Sequence, residues 1–144
     1  MPRDVNLVLD PGRTVTASES EDYVEVEGGA FCLATLIGAA FAGASTTLDA
    51  YVMFSPDVGT TYYMAAKFQQ LGPTNDNIET RIVCYIPRPT VKTNPVRVRI
   101  KYVVAGSAPS YAISRVFLEP MVSLAPPDID ESLAIGLRTL VSGV

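Results

Sequence analysis

From Val96 to Tyr102 the chain alternates Val-Arg-Val-Arg-Ile-Lys-Tyr, putting Val96, Val98, Ile100 and Tyr102 on one face and Arg97, Arg99 and Lys101 on the other. A period of two is the signature of a half-buried strand. Tyr23–Glu27 repeats it, so Val24 and Val26 turn inward while Glu25 and Glu27 face out. Runs rich in β-branched, aromatic and other apolar residues fill the rest of the chain up to Leu124. They are Val5–Leu9, Thr14–Ala17, Phe31–Ala42, Leu48–Ser55, Thr61–Leu71, Ile78–Ile86, Tyr111–Leu118 and Met121–Leu124, with Val96–Val104 extending the first alternation. Turn signals separate them: Asp10-Pro11-Gly12, Gly28-Gly29, Ser55–Gly59, Gly72–Asn77, the prolines Pro87, Pro89 and Pro95, and Gly106–Pro109. About eight to ten strands, with no helical segment between them, predict an all-β fold, a two-sheet antiparallel β-sandwich of jelly-roll or Greek-key type. A parallel sheet would need crossover helices.

The pattern changes at Ala125-Pro126-Pro127. Beyond this break Asp128 and Glu131 read as a helix-capping pair, and Ile129, Leu133, Leu137, Leu140 and Val141 recur at three- and four-residue steps. The expected organisation is a β-sandwich over residues 1–124 and a short C-terminal arm or helix over 125–144. That segment either closes the end of the sandwich or grips a partner.

With 144 residues, 48% of them hydrophobic and 18% charged, the chain has room for one proper core. The opening MPRDVNLVLD has no apolar stretch followed by a small-residue cleavage site. Ala30–Ala44 is almost free of polar side chains, but it falls short of the roughly 18 to 20 residues of a membrane-spanning helix. Gly38 and Gly43 interrupt it, so it reads as core strand. Cys32 and Cys84 sit in apolar surroundings and read as buried free thiols of a reducing compartment.

The sequence contains no histidine, which removes the usual general base, the commonest transition-metal ligand and the Ser-His and Cys-His pairs. No phosphate-cradling glycine loop and no G-x-S-x-G stands in its place. The acids Glu19, Glu21, Asp22, Glu25 and Glu27 could ligate calcium, but no glycine-bearing loop surrounds them, and a solvated acidic face is the expectation. Asp49 with Glu79 or Glu119 is the carboxylate pair a glycosidase would need, although the sequence has no tryptophan to stack a sugar. Tyr62 and Tyr63 are the available substitutes for sugar stacking. The expectation is a non-enzymatic chain without cofactor or metal.

A net charge of −4 speaks against nucleic acid as the main partner. The charge is also segregated. Residues 1–57 are strongly acidic, residues 58–118 are basic, and the remainder is acidic again. The basic face of Arg97, Arg99 and Lys101 is expected either to keep a sheet soluble or to dock on the acidic face of a neighbouring subunit.

The segment Ser45-Thr46-Thr47-Leu48-Asp49-Ala50-Tyr51-Val52-Met53-Phe54-Ser55-Pro56-Asp57-Val58-Gly59-Thr60-Thr61-Tyr62 resembles a pattern of small structural proteins of tailed bacteriophages. There a T-L-D opens a strand that ends in an S-x-D-G-G-T-T-W hairpin. Here Val58 replaces the first glycine and Tyr62 the tryptophan. Upstream, Tyr23–Gly29 before an apolar strand resembles the lead-in of the same proteins. The resemblance covers roughly forty residues and implies a jelly-roll-like capsid cement or head-decoration protein. It implies a homodimer or homotrimer that assembles in the host cytoplasm and sits on the capsid exterior, bracing joints between major capsid protein subunits. Neither nucleic acid nor membrane is expected as a direct partner. The expected interfaces are Glu25 and Glu27, then Arg97, Arg99 and Lys101, and in the arm Ile129, Leu133, Leu137 and Leu140. The alternatives are a phage tail or fibre module that binds a host surface glycan, and an enzyme on a β-sandwich.

Overall fold

The computed structural model describes residues 7–74 and 77–121. Among them are eight strands and no helix: β1 (Leu7–Asp10), β2 (Arg13–Val15), β3 (Glu19–Ser20), β4 (Val24–Val26), β5 (Ala30–Ser55), β6 (Tyr63–Lys67), β7 (Ile78–Ile86) and β8 (Val96–Pro120). Every pairing between them is antiparallel.

Two long strands organise the fold. β5 and β8 pair along nearly their whole length, from Cys32 opposite Pro120 to Ser55 opposite Arg97. Short strands flank them at each end. In one half the order is β1-β8-β5-β7, and in the other β4-β8-β5-β6, with β3 extending the β4 edge and β2 lying near the corner. Register slips concentrate between Ile37 and Thr47 of β5. Gly43 at φ 119° and Ser45 at φ 51° lie in this stretch, and Gly106 at φ 101° and Ala108 at φ 50° lie opposite. These are the bulges that turn a sheet corner. Both long strands bend there, and one continuous sheet curls until its halves share a core. The all-β antiparallel sandwich expected from the sequence is therefore present, with its two layers joined through the same two strands.

The inward faces are those set by the period-two pattern. Val96, Val98, Ile100 and Tyr102 are completely buried, and they meet Ala34, Leu36, Val116 and Leu118 from the other half in a single cluster. Polar bonds stitch this core where it narrows. The Tyr102 hydroxyl donates to Asp10 Oδ2 at 2.5 Å, joining residues that sit in opposite halves. Asp10 is fully buried, and its other oxygen accepts the Gly12 amide at 2.9 Å. Arg13 lies 3.4 Å from Asp10 and also pairs with Glu19 and Glu21, bringing β1, β2 and β3 together. At the corner Thr46 Oγ1 and the Tyr111 hydroxyl share a buried hydrogen bond of 2.8 Å.

Several sequence expectations need correction. Phe31–Ala42 and Leu48–Ser55 are not two strands but parts of β5, because the chain bends without losing its partner. Gly106–Pro109 is not a turn between strands, since β8 runs through it for the same reason. β3 was not anticipated, and Met121 lies just past the end of β8. The apolar stretch from Ala30 is not uniformly core, because Phe31 is exposed. The C-terminal arm, with Ile129, Leu133, Leu137 and Leu140, lies outside the described residues.

Candidate functional site

Curling the sheet leaves two outward faces, and their chemistry differs. On the half built from β4, β8, β5 and β6, Arg97, Arg99 and Lys101 project from β8 as the alternation requires. β4 lies beside them, with Glu25 in register with Arg97. The acidic and basic strands singled out in the sequence are thus neighbours in one sheet. Glu25 and Arg97 nevertheless form no ion pair within 4.0 Å. The guanidinium of Arg97 lies over the Tyr23 ring at 4.1 Å, and that of Arg99 over the Tyr62 ring at 3.8 Å. Both Nε atoms are buried without a hydrogen-bond partner. Stacking of this kind holds a cation in place while leaving its charge unneutralised.

The hairpin between β5 and β6 supports the same face. Ser55 Oγ donates to Asp57 Oδ1 at 2.7 Å and accepts the Gly59 amide at 2.8 Å, while Asp57 Oδ1 accepts the Thr61 amide at 2.9 Å. The Ser55 hydroxyl, followed by the Thr61 amide, holds the Asp57 carboxyl below the usual carboxylate range. Gly59 at φ 88° passes so close to Arg97 that a Cβ there would sit 2.7 Å from its Nη1. Val58 adopts φ 59°. The hairpin is therefore also part of the seat for Arg97.

The other outward face, on β8, β5 and β7, carries an apolar patch at one end, bordered by Glu79, Arg81, Arg115 and Glu119. Phe31 is 57% exposed, Val83 50%, Tyr85 43% and Met121 40%. Phe31 pairs with Tyr85 across β5 and β7, their rings 4.9 Å apart, and Leu33 pairs with Val83. Leu33, Ile37 and Phe117 contribute partly exposed surface in the same register and stand outside the core cluster. The Met121 amide donates to the Phe31 carbonyl, holding the end of the described chain against this face. Sequence reasoning missed the patch because it assigned the whole apolar stretch to the core. The signal available was that β5 is apolar at consecutive positions, and a strand can bury both faces only if both are covered.

The remaining candidates separate. Glu19 and Glu21 are engaged by Arg13, apart from Glu25 and Glu27. Glu25 and Glu27 border an open depression of about 430 Å³ with Lys92, Thr93 and Pro95. Among the described residues no three acids or cysteines form a cluster that could hold a metal ion. Asp49 is bound by Lys67 and Gln70 on the charged half, whereas Glu79 and Glu119 belong to the apolar half, so neither pairing converges. Tyr62 and Tyr63 are adjacent, but the Tyr62 ring is covered by Arg99 and Tyr63 lies against Phe54, their ring centroids 5.7 Å apart. Cys32 and Cys84 are free and face each other across β5 and β7. Burial pushes both thiols up, Cys84 to about 11, with Cys32 adding to the effect.

No family model matches this sequence, and no curated protein matches it. Among solved structures the chain is similar to a crystal structure of the N-terminal CBM22-1 and GH10 modules of endo-1,4-β-D-xylanase 10B from Clostridium thermocellum, complexed with xylohexaose. The identity is 12% and the TM-score 0.47, over 84% of this chain and 26% of that one. The chain thus spans about a quarter of the length of that chain.

Proposed function

We propose that the protein is a non-enzymatic structural module that binds the outside of a phage head and reinforces joints between major capsid subunits. The apolar outward face around Phe31, Val83, Tyr85 and Met121 carries this reading. Clustered exposed apolar side chains are a feature of interaction sites, and aromatic residues are frequent anchors of protein–protein contacts. The Ser55–Thr61 hairpin adds support through its resemblance to the phage pattern, and its hydroxyl and carboxylate bonds hold it in shape. Cementing works by mass action: a partner that buries surface only on the assembled shell stabilises the shell against opening.

The test is co-sedimentation of the purified chain with emptied phage shells stripped of accessory proteins. The expected outcome is saturable binding at a fixed ratio to capsid subunits, weakened at least ~10-fold by the double substitution Phe31→Ser, Tyr85→Ser, as for two anchors each worth ~1–2 kcal/mol. Retained secondary structure by circular dichroism controls for folding. Absence of shell binding, together with selective capture of a glycan on an array, would replace this reading with the glycan-binding one.

A further inference from the structure

The charged face offers a second surface, independent of the capsid reading. Its outward side carries two adjacent columns of opposite sign. Glu25 and Glu27 stand on and just beyond β4, with Asp22 exposed before it, and Arg97, Arg99 and Lys101 stand on β8. Among the described residues Arg13 pairs with Asp10, Glu19 and Glu21, Lys67 with Asp49, and Arg81 with Glu79, whereas Arg88, Lys92 and Arg115 form no ion pair within 4.0 Å. The two columns do not pair with each other within 4.0 Å, although the register sets Glu25 opposite Arg97. Tyr23, Tyr62 and the close approach of Gly59 occupy the two guanidiniums instead. The Arg97 and Arg99 side chains are thereby ordered without being neutralised, which lowers the entropy lost when a partner carboxylate arrives.

We infer that this face pairs with the same face of a second copy of the chain. An interface of two-fold symmetry must be self-complementary. An axis running along the strands, midway between β4 and β8, sets each acidic column over the partner's basic column. Turning the partner about an axis across the strands would set like charges over one another and repel. Arginine and tyrosine, the residues that frame the basic column, are those enriched in the energetic centres of protein interfaces.

The experiment is analytical ultracentrifugation of the full chain with two charge-reversed variants, E25R/E27R and R97E/R99E, each checked for native melting. The unaltered chain is expected to dimerise at about 20 mM salt and to dissociate toward 500 mM, where screening is nearly complete. Each variant alone should associate at least tenfold more weakly. Mixed in equal amounts they should form a heterodimer, because one face is then predominantly basic and the other predominantly acidic. A merely structural role for these side chains does not produce that rescue. A chain that stays monomeric at low salt, a trimer, or an association indifferent to either pair of substitutions would overturn the inference. So would failure of the mixture to re-form a dimer. None of these results depends on capsid shells, so the two readings stand or fall separately.

Discussion

Val58 holds a β-branched side chain at φ 59°, a region that such residues occupy at a cost of roughly 1–2 kcal/mol relative to right-handed conformations. The hairpin bonds from Ser55 and Asp57 keep it there. Val58→Gly should therefore raise stability by about 1 kcal/mol after the extra freedom glycine gains in the unfolded chain is subtracted. The urea midpoint should move up with an unchanged slope. Cys84 makes a prediction of opposite sign with pH. Its thiol is raised from the ordinary 9.0 to about 11, so the folded state favours the neutral form. Its contribution to stability is complete below pH 9 and is lost as pH climbs through 11. Maleimide labelling of the native chain, which follows the thiolate, should stay slow at pH 8 and accelerate toward pH 11.

Among the elements, β8 makes a buried polar contact outside its ladder through Tyr102. Tyr102 is wholly buried, and its hydroxyl, pushed far up by burial and by the Asp10 hydrogen bond, remains a donor to the Asp10 carboxylate of the opposite layer. Tyr102→Phe removes that donor while leaving Asp10 buried, and should cost about 1–3 kcal/mol in chemical denaturation. The first part of the strand, Val96–Val104, was legible beforehand, because Val96, Val98, Ile100 and Tyr102 alternate with charges and all four are buried. Ile78–Ile86 was legible to the residue because a proline follows it and a turn precedes it. Gly106–Pro109 misled because glycine and proline mark a sharp change of direction without saying whether pairing survives it. The charged columns were each visible as patterns. Their adjacency was not, because it rests on β4 finding β8 some seventy residues away, a matter of tertiary pairing. Likewise nothing local connects Tyr23 to Arg97 or Tyr62 to Arg99.

At the scale of the whole molecule, the two faces lie on opposite layers of one sandwich, so a copy held through its charged face still presents Phe31 and Tyr85. Their responses to salt should differ. Shell binding through the apolar face should persist at about 500 mM salt, where charge-driven self-association is screened away, and R97E/R99E should leave shell co-sedimentation unchanged. β8 pairs with β1, β2, β3, β4 and β5, yet it comes last of the eight in the chain. While residues before Val96 leave the ribosome, four short strands and half of the long ladder have no partner to close on. Folding must wait for the final strand and then make many distant contacts at once, which places its rate in the slow, milliseconds-to-seconds range of β-rich topologies.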